Sequence, residues 1–79
     1  MGIGLHTKAS LFEALRKHRM ELAHDAKVPP YVIASDRTLR DIALMRPSNL
    51  EELKLAHGIG PTKAEKYGDG LLAIVQQAA

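Results

Sequence analysis

The residues with the clearest chemical potential lie in the segment Gly-Ile-Gly-Pro-Thr-Lys, residues 58–63. Gly58 suits the position just past a helix end, where φ is positive, and Gly60 lets the chain turn at once. Pro61 fits the first position of a following helix. Such a helix begins with free N–H groups and a partial positive charge, which favour a phosphate. We therefore consider Gly58, Gly60 and Lys63 candidate contacts to a nucleic-acid backbone. A hairpin that only packs two helices is equally consistent with one Gly-x-Gly turn.

No set of residues has the types and spacing of a catalytic or metal site. The glycine-rich segment lacks the spacing of a Walker phosphate-binding loop. Asp36 and Asp41 lie on one predicted helix, but their carboxylates do not face one another as a two-metal nuclease requires. His18 and His24 are about 120° apart around another helix and cannot share a metal. We predict no enzymatic activity, no cofactor and no metal site.

Composition and charge indicate a small, mildly basic domain without disulfides. The chain has 79 residues, a net charge of +2 and no cysteine, which fits one domain in a reducing cytoplasm. Residues 1–40 contain seven Lys or Arg and four acids, whereas residues 41–79 contain four and five. Any attraction for a polyanion should therefore arise mainly in the first half. No apolar run approaches the roughly 20 residues that span a bilayer, so we expect no membrane contact.

Helical periodicity covers most of the first half of the chain. Ser10 is a suitable N-cap for a first helix that reaches about Lys27. The segment Val-Pro-Pro-Tyr-Val-Ile, residues 28–33, should follow as an extended strap, because each proline disfavours helix at the residue before it. Ser35 is a suitable N-cap for a second helix over residues 36–45.

Three further helices are predicted in the second half. Ser48 and Glu51 have the spacing of a capping box, in which each side chain bonds the backbone N–H of the other. They begin a third helix that reaches His57. The fourth helix opens at the hairpin proline and ends at Gly68, and Asp69 caps the fifth. No strand is predicted, so the expected fold is an all-α, compact five-helix bundle.

The apolar faces of these helices should form one core. Its predicted members are Leu11, Leu15, Leu22, Val32, Ile33, Leu39, Ile42, Leu53, Ile59, Leu71, Leu72 and Val75. Arg19 is an exception, because it falls on the apolar stripe of the first helix beside Phe12. An arginine in such a position can lay its stem over the core and bond a carboxylate or carbonyl with its guanidinium. We therefore predict a structural role for Arg19.

Four segments, in this order and spacing, resemble the HRDC domain, the helicase-and-RNase-D-C-terminal module. They are the basic RKHR in the first helix, the VPPYVI strap, the SDRTL helix start and the GIGPTKAEKYG hairpin. The resemblance covers residues 10–78, so we expect a flexible lead-in at residues 1–9 and an HRDC domain at residues 10–79. It implies a SAM-like bundle without catalytic activity, part of a RecQ-family DNA helicase or an RNase D-type exonuclease. A bacterial RecQ parent is favoured.

The resemblance also implies a nucleic-acid surface around the first helix and the strap. The matching positions are Arg16, Lys17, Lys27, Tyr31 and Arg37. The implied partner is single-stranded or branched DNA. Tyr31 follows two prolines, and two placements are open for its ring: stacking on a base, or packing in the core.

A second function class is also open, namely a protein-interaction or autoregulatory module that contacts the core of its parent helicase. Met20, Leu44 and Leu55 would then supply exposed apolar contacts. The acids near the hairpin weaken the case for phosphate binding there, because they repel phosphate within a Debye length of roughly 8 Å. These acids are Glu51, Glu52, Glu65 and Asp69.

Overall fold

Five α-helices make up the part of the chain that the computed structural model describes, residues 8–78, with side chains from residue 11. The helices are α1 (Lys8–Ala26), α2 (Pro30–Ile33), α3 (Asp36–Met45), α4 (Leu50–Leu53) and α5 (Pro61–Gln77). No strand occurs between residues 8 and 78. α1 packs against α2, α3 and α5, and α4 packs against α5. The predicted all-α, five-helix fold is therefore confirmed, although several helix bounds differ.

α1 begins three residues before Leu11, the first helical residue that the prediction implies. Ser10 is inside the helix, which begins at Lys8, so Ser10 is not its N-cap. A serine followed by an apolar run indicates a helix start, but the helix extends past it when the preceding residues also adopt helical angles. Of the predicted lead-in at residues 1–9, residues 1–7 lie outside the described residues, and residues 8 and 9 belong to α1.

The proline segment is not the extended strap that the sequence predicts. Pro29 is extended, with φ −63° and ψ 149°, but the chain then forms one helical turn that begins at Pro30. The N–H of Ala34 donates to the carbonyl of Pro30 at 3.3 Å. A proline at the first helical position loses no hydrogen bond and has a suitable φ. The second proline therefore begins a helix instead of preventing one.

The capping box of α4 is displaced by one residue from the predicted pair. Asn49 is the N-cap, and its Oδ1 accepts from the N–H of Glu52 at 2.8 Å. The Glu52 carboxylate in turn accepts from the N–H of Ser48 at 2.8 Å. The predicted pair of Ser48 and Glu51 is therefore wrong. Serine and asparagine cap helices about equally well, so the sequence does not decide whether Ser48 or Asn49 is the N-cap.

One continuous helix, α5, replaces the predicted fourth and fifth helices. Gly68 does not end a helix, and Asp69 does not cap one. Gly68 instead permits close packing, because a Cβ at this position would overlap Cδ2 of Leu50 on α4. Gly70 faces α1 in a similar way, where a Cβ would lie 2.9 Å from Nε2 of His18. The two glycines therefore provide space for neighbouring helices.

The predicted core is confirmed at ten of its twelve positions. The buried members are Leu11, Leu15, Ile33, Leu39, Ile42, Leu53, Ile59, Leu71, Leu72 and Val75. Leu22 is partly buried and packs against this core. Val32 is 46% exposed, so its assignment to the core is wrong. The helical turn of α2 directs Ile33 inward and leaves Val32 outside.

Truncation to alanine should distinguish the buried position of Ile42 from the exposed position of Val32. Ile42→Ala should lower the free energy of unfolding by about 2–5 kcal/mol, because it removes a fully buried side chain. Val32→Ala should cost about 1 kcal/mol or less, because much of its side chain already meets water. Urea unfolding followed by circular dichroism measures both. A loss of several kcal/mol for Val32→Ala would contradict the observed placement of α2.

Candidate nucleic-acid interface

Arg19 joins α1 to the segment between α2 and α3. Its Nη1 donates to the carbonyl of Ala34 at 3.0 Å and lies 2.8 Å from Oδ1 of Asp36. The side chain is only 11% exposed, which confirms its predicted structural role. This contact holds the start of α3 against α1, so the basic side chains of α1 and α3 have a defined relative arrangement.

The carboxylate of Asp36 lies in the electrostatic field of several arginines. The hydrogen bond from Arg19 lowers the pKa of Asp36, and the charges of Arg19, Arg40 and Arg16 lower it further. Partial desolvation opposes these effects. The three arginines come from two helices, so the fold gathers positive charge around the start of α3.

Two of these arginines lie over one aromatic ring. The guanidinium carbon of Arg16 is 6.0 Å from the centroid of the Phe12 ring, and that of Arg40 is 5.8 Å from it. Both distances are within the range of a cation–π interaction. Arg16 also pairs with Glu13 at 3.3 Å on the exposed face of α1. Arg40 is absent from the predicted site, although its spacing from Arg37 on one helix was a signal for it.

The ring of Tyr31 lies at the surface. Its side chain is 72% exposed on α2, directly after the two prolines. Packing of this ring in the core, one of the two predicted alternatives, is therefore wrong. Lys17 and Arg37 are also exposed, on α1 and α3 respectively. Arg16 and Lys17 line an open depression on the surface of α1.

Lys27 occupies an unusual backbone position. It follows α1 with φ 58°, in the left-handed region that favours glycine. Its N–H donates to the carbonyl of His24 at 3.2 Å, and the N–H of Val28 donates to that of Ala23 at 3.0 Å. These two bonds define a Schellman motif, which usually has glycine at this position. A lysine here carries conformational strain and leaves an exposed cation at the end of α1.

The hairpin has the predicted backbone geometry. Gly58 has φ 80°, Gly60 is the N-cap of α5 and Pro61 is its first residue. A Cβ at Gly58 would lie 2.8 Å from Oγ1 of Thr38, so the hairpin lies against the first turn of α3. Lys63 is partly buried.

The predicted end of the third helix at His57 is wrong, because α4 ends at Leu53. The chain turns between Leu53 and His57.

The described residues contain neither a metal-binding cluster nor a membrane-spanning helix. They contain no group of three or more His, Cys, Asp or Glu side chains that can hold a metal ion. Likewise, none of the five helices is both long enough and apolar enough to cross a membrane. The described surface includes exposed cations, the Tyr31 ring and several exposed apolar side chains.

This helical arrangement defines an HRDC domain: the HRDC domain family matches residues 8–75, and the chain belongs to that family. A solved structure titled D. radiodurans RecQ HRDC domain 3 is similar, with a TM-score of 0.85 and 33% sequence identity. The similarity covers 89% of this chain and 92% of that one. The expected resemblance to HRDC domains is confirmed.

Similar sequences occur within longer helicases. The ATP-dependent DNA helicase RecQ of Bacillus subtilis is 42% identical over 69 residues, which is 87% of this chain and 12% of the helicase. The RecQ of Haemophilus influenzae is 37% identical over 85% of this chain and 11% of its own length. The ATP-dependent DNA helicase UvrD2 of Mycobacterium tuberculosis is 37% identical over 78% of this chain and 9% of its own length. The chain thus spans about a tenth of these relatives.

Acid should weaken the contact between Arg19 and Asp36. Because the pKa of Asp36 is lower in the folded state than in the unfolded chain, its contribution to stability is fully present above the unfolded pKa of 3.8. The contribution is lost as the pH falls through the lower, folded value. Asp36→Asn should therefore destabilise the domain at pH 6, and this difference should shrink below about pH 4. Urea unfolding across pH 2–7 measures it, and parallel pH profiles would contradict the assignment.

Proposed function

We propose that this HRDC domain is a non-catalytic, nucleic-acid-binding part of a RecQ-type DNA helicase. In this role it binds single-stranded or branched DNA weakly and thereby directs the tethered motor to such structures. The observation that best supports this proposal is a set of exposed cations together with an exposed aromatic ring. They lie on helices that Arg19 holds together. The RecQ proteins among the similar sequences support the choice of parent. A cytoplasmic location is part of this proposal.

Unpaired positive charge supports contact with the DNA backbone. Lys17, Lys27 and Arg37 are exposed, and in the described part of the chain none of them has an ion-pair partner. Cations that are not neutralised by neighbouring carboxylates can release counterions from phosphates, which supplies most of non-specific DNA affinity.

Tyr31 supports a preference for unpaired bases. Its ring is exposed on a one-turn helix that has Pro29 as its N-cap and Pro30 as its first residue, so its backbone has little freedom left to lose on binding. Stacking of a base on such a ring contributes about 1–3 kcal/mol and tolerates any sequence. Bases in a duplex are already stacked, so a stacking contact favours single strands and forks.

The hairpin is a secondary contact in this proposal. Gly60 has open space around it, and the first turn of α5 presents free N–H groups beside Lys63. The exposed carboxylates of Glu65 and Asp69 lie on the same helix and reduce its attraction for phosphate. Gly58, Gly60 and Lys63 should therefore contribute less than the cations of α1 and α3.

Exposed apolar side chains support a second candidate function, a protein-interaction or autoregulatory module that contacts the parent helicase core. Met20 on α1, Leu44 on α3 and Leu55 after α4 are all more than half exposed. Under this alternative, DNA affinity would be absent and truncation of these residues would change the activity of the whole helicase.

Titration of labelled DNA tests the first proposal. Fluorescence anisotropy should show weak binding to single-stranded and forked DNA, with a shallow salt dependence from about three to five phosphate contacts. Lys17→Ala, Lys27→Gly and Arg37→Ala should each weaken binding similarly for any sequence. Lys27→Gly should also raise the free energy of unfolding by about 1 kcal/mol, since glycine relieves the left-handed strain. Unchanged affinity in the triple variant would favour the interaction module.

Substitutions of Tyr31 distinguish stacking from charge attraction. Tyr31→Ala should lose about 1–3 kcal/mol of single-strand affinity, because it removes the stacking face. Tyr31→Phe should bind nearly as well as the parent, because stacking uses the ring and not the hydroxyl. The melting transition should be intact in both variants, since the ring is 72% exposed. Retained affinity in Tyr31→Ala would exclude stacking.

A further inference from the structure

We infer that Arg16 and Arg40 form a phosphate clamp across α1 and α3, with the Phe12 ring as its platform. This inference rests on the proposed function and assigns one phosphodiester of the DNA backbone to a defined pair of side chains. Both guanidinium carbons lie near the same ring centroid, at 6.0 and 5.8 Å, although they belong to different helices.

The two arginines differ from Arg19 in how far their charge is neutralised. Arg19 is largely buried, and its contacts to Ala34 and Asp36 both belong to the fold. Arg40 is exposed and, within the described residues, has no ion pair. Arg16 has only an exposed pair with Glu13 on its own helix, a kind of contact that contributes little to stability. Arg16 and Arg40 are therefore available to an external anion.

The ring explains why this pair suits a phosphate. A guanidinium held over an aromatic face loses less freedom on binding than one in solvent, and its planar donors match two phosphate oxygens. Two such groups beside one ring can contact one phosphate from two sides. The contact depends on charge and not on base identity, so the clamp should accept DNA and RNA of the same sequence similarly.

Glu13 is an internal competitor for this site. Its carboxylate accepts from Nη1 of Arg16 at 3.3 Å, so a phosphate must displace or share this guanidinium. Removal of the Glu13 charge should then tighten DNA binding, whereas removal of the Arg40 charge should weaken it. Opposite effects from two neighbouring residues are a specific consequence of the clamp.

The chain provides a matched control at α4 and its C-cap. Glu51 and Lys54 form a second exposed pair with the same sequence spacing, at 3.4 Å against 3.3 Å for Glu13 and Arg16. Glu51→Gln and Lys54→Gln change the net charge as Glu13→Gln and Arg40→Gln do. Differences between the two sets therefore report the location of the charge and not the total.

The experiment is an anisotropy titration of the full chain with single-stranded DNA at two salt concentrations. Arg40→Gln should weaken binding about fivefold and reduce the slope of log affinity against log salt by about 0.7, the value for one lost contact. Glu13→Gln should tighten binding about two- to fivefold. The changes for Glu51→Gln and Lys54→Gln should be less than about twofold.

Two further comparisons complete the test. One is a double variant of Glu13 and Arg40, and the other is substitution of Phe12. If the two arginines share one phosphate, the gain from Glu13→Gln should shrink in the Arg40→Gln background. Phe12→Tyr should retain affinity and Phe12→Leu should lose it, with both variants folded by their melting curves. An undiminished gain, or equal effects at the α4 control pair, would overturn the clamp. If the parent chain binds none of single-stranded, forked or duplex DNA, the proposed function itself fails.

Discussion

The contact of Arg19 with Ala34 and Asp36 is the constraint on which the rest of the surface depends. It brings a charged side chain into a nearly dry position, where a polar group is costly unless it is bonded. Nη1 has two partners, whereas the buried Nε has none. Removal of the arginine would leave the Ala34 carbonyl without this donor and would free the start of α3 from α1. The exposed cations would then lose their mutual arrangement.

Local sequence signals predicted the fold where a short segment determines its own structure. Ser35 caps α3 as expected, with its Oγ accepting from the N–H of Thr38 at 3.1 Å. Gly58 and Pro61 also adopt the predicted geometry. The failures occur where neighbours in space decide. Gly68 resembles a helix end in the sequence, but Leu50 of another helix occupies the space that its missing side chain leaves.

The candidate site was predictable in its residue types and not in its contacts. Exposure of the basic positions on α1 follows from helical periodicity, because they lie opposite the apolar stripe. The pairing of Arg16 and Arg40 over Phe12 depends on how α1 crosses α3, and periodicity within one helix contains no information about a crossing. Tyr31 was ambiguous for a related reason, since two prolines permit both an extended path and a helical turn.

The two glycines inside α5 have a consequence for the order of folding. Each lowers the intrinsic helix propensity by about 1 kcal/mol relative to alanine, so the middle of α5 is weak in isolation. α1 has 19 residues without glycine or proline and can form early from local interactions. α5 becomes a continuous helix only when His18 and Leu50 pack over its glycines. The middle of the last helix should therefore become stable late, when these neighbours pack against it.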